Sequence, residues 1–68
     1  MNLTTVYNIG DIIEFPYRAR HQNQIYMTAP VTSIAIQILD AEHIHIRYFV
    51  CVNMQTCSIN ENEIISRR

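Results

Sequence analysis

The feature that most constrains this chain is a pair of stretches, 31–39 and 44–52, in which branched apolar residues fill every second position. In the first, Thr32, Ile34, Ile36 and Ile38 share one face, and Ser33, Ala35 and Gln37 share the other. In the second, Ile44, Ile46, Tyr48, Val50 and Val52 alternate with His45, Arg47, Phe49 and Cys51. A period of two is the signature of a strand with one buried face. The polar connector Asp40-Ala41-Glu42 suits a hairpin loop. Placing Leu39 opposite His43 sets Ile38 against Ile44, Ile36 against Ile46 and Ile34 against Tyr48. A slip of one residue would turn every isoleucine toward a polar neighbour, so the pattern selects its own register. Ile36 and Ile46 are therefore expected to face each other within the core.

The remaining segments read as further short strands. Twelve residues are isoleucine, and valine, threonine, tyrosine and phenylalanine add to a composition that fits a pleated, half-buried surface. No stretch carries a helical apolar period. Asn8-Ile9-Gly10-Asp11 reads as a turn, with the only glycine supplying a conformation other residues resist. A strand over 12–15 is expected to stop at Pro16, and 17–24 reads as a loop. Ile25-Tyr26-Met27 either extends that loop or adds a short strand before Pro30, which lacks the N–H a central ladder needs. After Asn53-Met54-Gln55, a four-residue loop would pair Val52 with Cys57 and Val50 with Ile59. A three-residue loop would set Cys51 opposite Cys57 and bury Thr56 and Ser58 without partners, the worse choice. Asn60-Glu61-Asn62-Glu63 has the spacing of a capping box and room for one 3₁₀ turn. Ile64-Ile65 is expected to close the sheet.

With 68 residues, 49% apolar and 16% charged, the chain is sized for one folded domain with a small core, not a disordered tail. A net charge of −1 argues against a general nucleic-acid binder. The opening Met1-Asn2-Leu3-Thr4-Thr5-Val6 has neither the basic residue nor the apolar run of a secretion signal. No stretch is long and apolar enough to span a bilayer. The expectation is a cytoplasmic protein with no membrane partner and two reduced thiols.

Five short strands, a long loop after the first, two tight hairpins and a 3₁₀ turn before the last strand describe a small all-β barrel. Several segments match it in detail. Tyr7-Asn8-Ile9-Gly10-Asp11-Ile12-Ile13 resembles the opening aromatic-x-x-Gly-Asp-x-apolar segment of small bacterial and phage SH3-like (Tudor/KOW-like) barrel proteins. Val31 to Ile36 is similar to their second strand, Ile46-Arg47-Tyr48-Phe49-Val50 to the central strand, and Asn60-Glu61-Asn62-Glu63-Ile64 to the closing acidic turn. The resemblance covers residues 7–65 and implies a single five-stranded SH3-like barrel. Barrels of this kind bind peptides, nucleic acids or larger assemblies. Two departures stand out: Thr28-Ala29-Pro30 replaces a frequent glycine, and Thr56-Cys57 occupies the place of a frequent tryptophan. A phage or mobile-element origin, with inhibition of a host complex as one role, is implied by the resemblance alone.

Chemistry is harder to assemble. His43, His45, Cys51 and Cys57 are zinc-type ligands, but Cys51 lies six residues beyond His45, roughly 20 Å along a strand. Neither cysteine has a base and an acid placed to activate it. The acid pairs Asp40/Glu42 and Glu61/Glu63 sit in turns, where nothing raises a carboxyl pKa. The Val-Gln-Ile-Tyr segment of the SH3-like plasmid dihydrofolate reductase is missing. No catalytic residue, metal or cofactor is expected. Tyr17, Arg18 and Arg20, with Tyr26, Arg47 and Phe49, mix aromatic rings and guanidinium groups as protein interfaces do. These six form the expected binding surface of a non-enzymatic adaptor module. A nucleic-acid-binding barrel is the alternative, requiring Arg18, Arg20, Arg47 and the Arg67-Arg68 pair on one face. A homo-oligomer subunit with a free sheet edge is another.

Overall fold

The computed structural model describes residues 5–18 and 23–68. It is all-β: β1 (Ile12–Tyr17), β2 (Ile25–Ile38), β3 (Ile44–Val52), β4 (Gln55–Asn60) and β5 (Ser66–Arg67), with one 3₁₀ turn at Glu61–Glu63. The strands form an antiparallel sheet in the order β4-β3-β2-β1-β5. The outer strands β4 and β5 do not pair, so the sheet is not closed into a barrel.

The expected break around Pro30 is absent. β2 runs without interruption, its residues 25–30 paired with β1 and its residues 31–38 with β3. Pro30 is accommodated because it sits where one ladder ends and the next begins. It faces Ile12, the first residue of β1, and the β3 ladder starts one residue later at Val31. Thr32 is the bulge between the two registers, and its Oγ1 donates to the Phe49 carbonyl at 3.0 Å. A bulge adds local twist and re-aims the strand. Pro16 likewise fails to stop β1, which continues to Tyr17. β5 reaches only Ile13 and Glu14, so β1 is an edge at Pro16, where no N–H is needed.

The central hairpin has the register the alternation selects: Ile38↔Ile44, Ile36↔Ile46 and Ile34↔Tyr48. The next hairpin is tighter than expected. Asn53 (φ 51°) and Met54 (φ 66°) form a two-residue turn with both residues left-handed. Val52 therefore meets Gln55, Val50 meets Cys57 and Tyr48 meets Ile59. The four-residue loop was off by two residues, a shift that preserves which side chains face inward. Its cause is chemical: such turns favour glycine, and a methionine in one gives no signal. The 3₁₀ turn lies where expected, with Glu63 Oε1 accepting from the Asn60 N–H at 3.3 Å. The closing pairs are Ile13↔Arg67 and Glu14↔Ser66 in place of Ile64-Ile65. Ile64 is instead a buried plug and Ile65 is exposed. Gly10 has φ 95° in a turn whose N–H donates to the Val31 carbonyl at 2.8 Å.

The core is Ile13, Phe15, Ala29, Val31, Tyr48, Val50, Val52, Ile59 and Ile64. It occupies the end of the sheet where both halves of β2 are covered. The isoleucine stripe outruns it: Ile34 and Ile46 are half-buried, whereas Ile36 and Ile38 are 41% and 52% exposed. The expectation that Ile36 is a core residue is thus overturned. The register is right, but none of the described residues lies over that end of the hairpin.

Two stability predictions follow from this layout. Phe15→Ala should lose about 3–5 kcal/mol, as emptying a packed aromatic site does, and Ile36→Ala less than about 1 kcal/mol. Urea melts of both variants would show the contrast, and equal losses would contradict it. Met54→Gly should gain roughly 0.5–1 kcal/mol, because glycine adopts the left-handed conformation without the steric penalty of a side chain. Its melting midpoint should rise; an unchanged or lower one would mean the turn is not under that strain.

Candidate interaction surface

The expected surface does not assemble as one patch. Tyr17 pairs with Ile25 on the inward side of β1 and packs against the core. Tyr26 points the other way, opposite Pro16, and is 62% exposed. Arg47 and Phe49 share the outward face of β3, with Arg47 between Ala35 and Asn60 and Phe49 between Ser33 and Ser58. Phe49 is half-buried although it faces away from the core. Arg18 is exposed beyond the end of β1, and Arg20 lies outside the described residues. Arg47, Phe49 and Tyr26 are thus outward residues, the last on the far side of the Thr32 bulge, while Tyr17 is set apart from them.

The thiols lie on opposite faces, Cys51 exposed opposite Thr56 and Cys57 half-buried opposite Val50, and both are free. His43 is engaged with Asp40, its Nδ1 2.8 Å from Oδ1. Asp40 also accepts from the N–H groups of Glu42 at 2.8 Å and His43 at 2.9 Å. The Glu42 N–H foremost, and then the His43 ring, hold its carboxyl below the usual range. These contacts explain the hairpin turn locally. Among the described residues, no three of His, Cys, Asp or Glu are arranged to hold a metal ion.

The more informative polar feature was not anticipated. Tyr48, fully buried at the inner face of β3, donates its phenol proton to Glu61 Oε2 at 2.5 Å and accepts from the Tyr7 N–H at 3.3 Å. The Tyr7 ring stands edge-on to it, with centroids 5.4 Å apart and planes at 81°. One side chain therefore ties the segment before β1 and the 3₁₀ turn to the central strand. Burial, helped by the Glu61 carboxylate, pushes the Tyr48 phenol up to about 12. The alternation of β3 identified Tyr48 as inward, but its partners are 41 and 13 residues distant and carry no local signal.

Beside this network a cleft of about 500 Å³ opens, lined by Val6, Tyr7, Ile44, Ile46, Asn60 and Glu61 among others. It exists because the β3–β4 ladder ends at Arg47↔Asn60, where β4 turns into the 3₁₀ turn. Residues 44–46 of β3 are left with no strand on that side among the described residues.

Charge is segregated across the fold. Arg67 contacts Asp11 at 3.7 Å, and Arg68 contacts Glu14 at 3.0 Å. Those two acids belong to the β1–β5 end. The other four of the six, Asp40, Glu42, Glu61 and Glu63, flank the start of β3, and none has an arginine partner among the described residues.

Tyr48→Phe should lower stability by about 1.5–3 kcal/mol, since it removes a hydrogen bond to a carboxylate and strands the Tyr7 N–H. The pH dependence has a definite sign. The folded phenol titrates higher, near 12, than its ordinary value of 10.0, so the fold favours the protonated form. Its contribution is complete below about pH 10 and is lost as pH rises toward 12. Denaturation curves across that range should show a steeper decline for the native chain than for Tyr48→Phe; parallel declines would remove Tyr48 as the cause.

Compared with known proteins, the chain matches no family model, no curated protein and no solved structure, so its function has to be read from this geometry.

Proposed function

We propose that this chain is a non-enzymatic protein-binding module on an SH3-like barrel framework. The framework is supported by the strand order, by one long bent strand shared between both halves, and by the 3₁₀ turn that carries the chain from β4 toward β5. The observation that carries the binding reading is the end of the central hairpin that no described residue covers. Ile36 and Ile38 are 41% and 52% exposed, next to the half-buried Ile34, Ile44 and Ile46 on the same face. A contiguous apolar face of this kind is unfavourable in water and marks a surface that another molecule covers.

The nucleic-acid alternative needs the arginines on one face. Arg67 and Arg68 are held by Asp11, just before β1, and Glu14 on β1, whereas Arg47 lies on β3, with β2 and β1 between it and β5. The acids at the start of β3, which have no arginine partner among the described residues, would repel a phosphate backbone.

Affinity capture from extract of the source organism tests the reading with three baits: the native chain, Ile36→Thr/Ile38→Thr, and Arg47→Ala/Phe49→Ala. Threonine keeps strand propensity while removing apolar surface. A protein retained by the native chain should be lost by the isoleucine variant, with little change in melting temperature. Loss only on the Arg47/Phe49 variant would move the surface to the outward face. Retention of the same proteins by both variants, or salt-sensitive retention of oligonucleotides alone, would overturn the reading.

A further inference from the structure

We propose that the edge of β3 at residues 44–46, open among the described residues, takes an extended, lysine- or arginine-bearing segment of a partner protein as an added strand. This rests on the protein-binding reading and specifies its partner's chemistry and mode. The backbone supplies the first argument. The Leu39 N–H donates to the His43 carbonyl, and the Phe49 carbonyl accepts from Thr32, so odd-numbered residues of β3 turn their polar groups toward β2. Antiparallel strands alternate these directions. Even-numbered residues therefore turn theirs toward the β4 side, where the ladder stops at Arg47↔Asn60. The Ile44 N–H and carbonyl lie beyond that ladder. An exposed strand edge is a template for another strand.

The side chains supply the second argument. Val6, Tyr7, Ile44 and Ile46 line the adjoining cleft, so every second residue of an added strand would meet an apolar wall. Charge identifies the occupant. Asp40 and Glu42 precede β3 in the hairpin turn, Glu61 lines the cleft from the 3₁₀ turn, and Glu63 lies two residues further along that turn. A basic segment would be attracted to this end, while a second copy joined edge to edge would bring two acidic ends together.

The test uses fluorescein-labelled nine-residue peptides that alternate valine with lysine, or valine with glutamate, read by polarisation against the full chain. The valine–lysine peptide should bind, more weakly as salt rises, and protect the Ile44 amide from hydrogen exchange. The valine–glutamate peptide should not bind. Glu42→Lys, on an exposed turn, should weaken binding roughly five- to tenfold, the scale of a lost charge attraction. Ile44→Pro should abolish it by removing the edge donor, at a strand start where proline is tolerated. Should Ile44→Pro fail to fold, Glu42→Lys still decides. Equal binding of both peptides, protection on the Arg47/Phe49 face instead, or a concentration-dependent dimer that Ile44→Pro dissolves would overturn the proposal. If the peptide fails while the Ile36→Thr/Ile38→Thr bait still loses its partner, this inference falls and the binding reading stands. If that bait loses nothing, the reading itself falls.

Discussion

The structure depends on β2 remaining one strand while changing partners. Its first half closes the sheet against β1 and its second half builds the hairpin with β3, and the change takes place over Pro30, Val31 and Thr32. Two properties make that possible. Proline lacks a donor where no ladder requires one, and the bulge at Thr32 absorbs the change of register. Because both halves belong to one backbone, Ile13 and Phe15 of β1 are brought into the same core as Tyr48 and Val50 of β3. A small chain obtains a shared core this way without a second layer of helices.

The same arrangement explains why the core is lopsided. β1, Ile64 and the segment around Tyr7 gather over one end of β3, held by the Tyr48 hydroxyl between the Tyr7 N–H and Glu61. The hairpin continues past them, and the described chain is elongated, 40 × 23 × 20 Å. Its outer isoleucines follow the same alternation as the buried ones but have no covering layer among the described residues. The exposed apolar face is the part of the core pattern that no other described segment covers.

Polarity completes the division of the molecule. At the β1–β5 end, Arg67 and Arg68 neutralise Asp11 and Glu14 and so reinforce a two-residue closing strand. At the start of β3 the acids have no arginine partner, and the strand edge no neighbour, among the described residues. One end is held by ion pairs, and the other carries acids beside a strand edge that no described strand pairs with. The net charge of −1 conceals this, since a sum carries no information about where the charges lie.

Alternation alone determined the class of fold, the central hairpin and its register, because side-chain parity along a strand is a local property of the backbone. Local chemistry also placed the Gly10 turn and the 3₁₀ turn with its Glu63 cap. It could not place the Asn53-Met54 turn, where a methionine occupies a conformation that glycine usually signals, nor the continuity through Pro16 and Pro30, which depends on where neighbouring strands end. Of the candidate site, strand parity made the outward positions of Arg47 and Phe49 legible, whereas the exposed Tyr26 and the core-packed Tyr17 depend on how β1 and β2 pair. The cleft, the open β3 edge and the Tyr48–Glu61 link all join residues far apart in the chain. Parity states which side chains share a face; whether that face is covered depends on the distant segments that fold over it, and that is decided only in three dimensions.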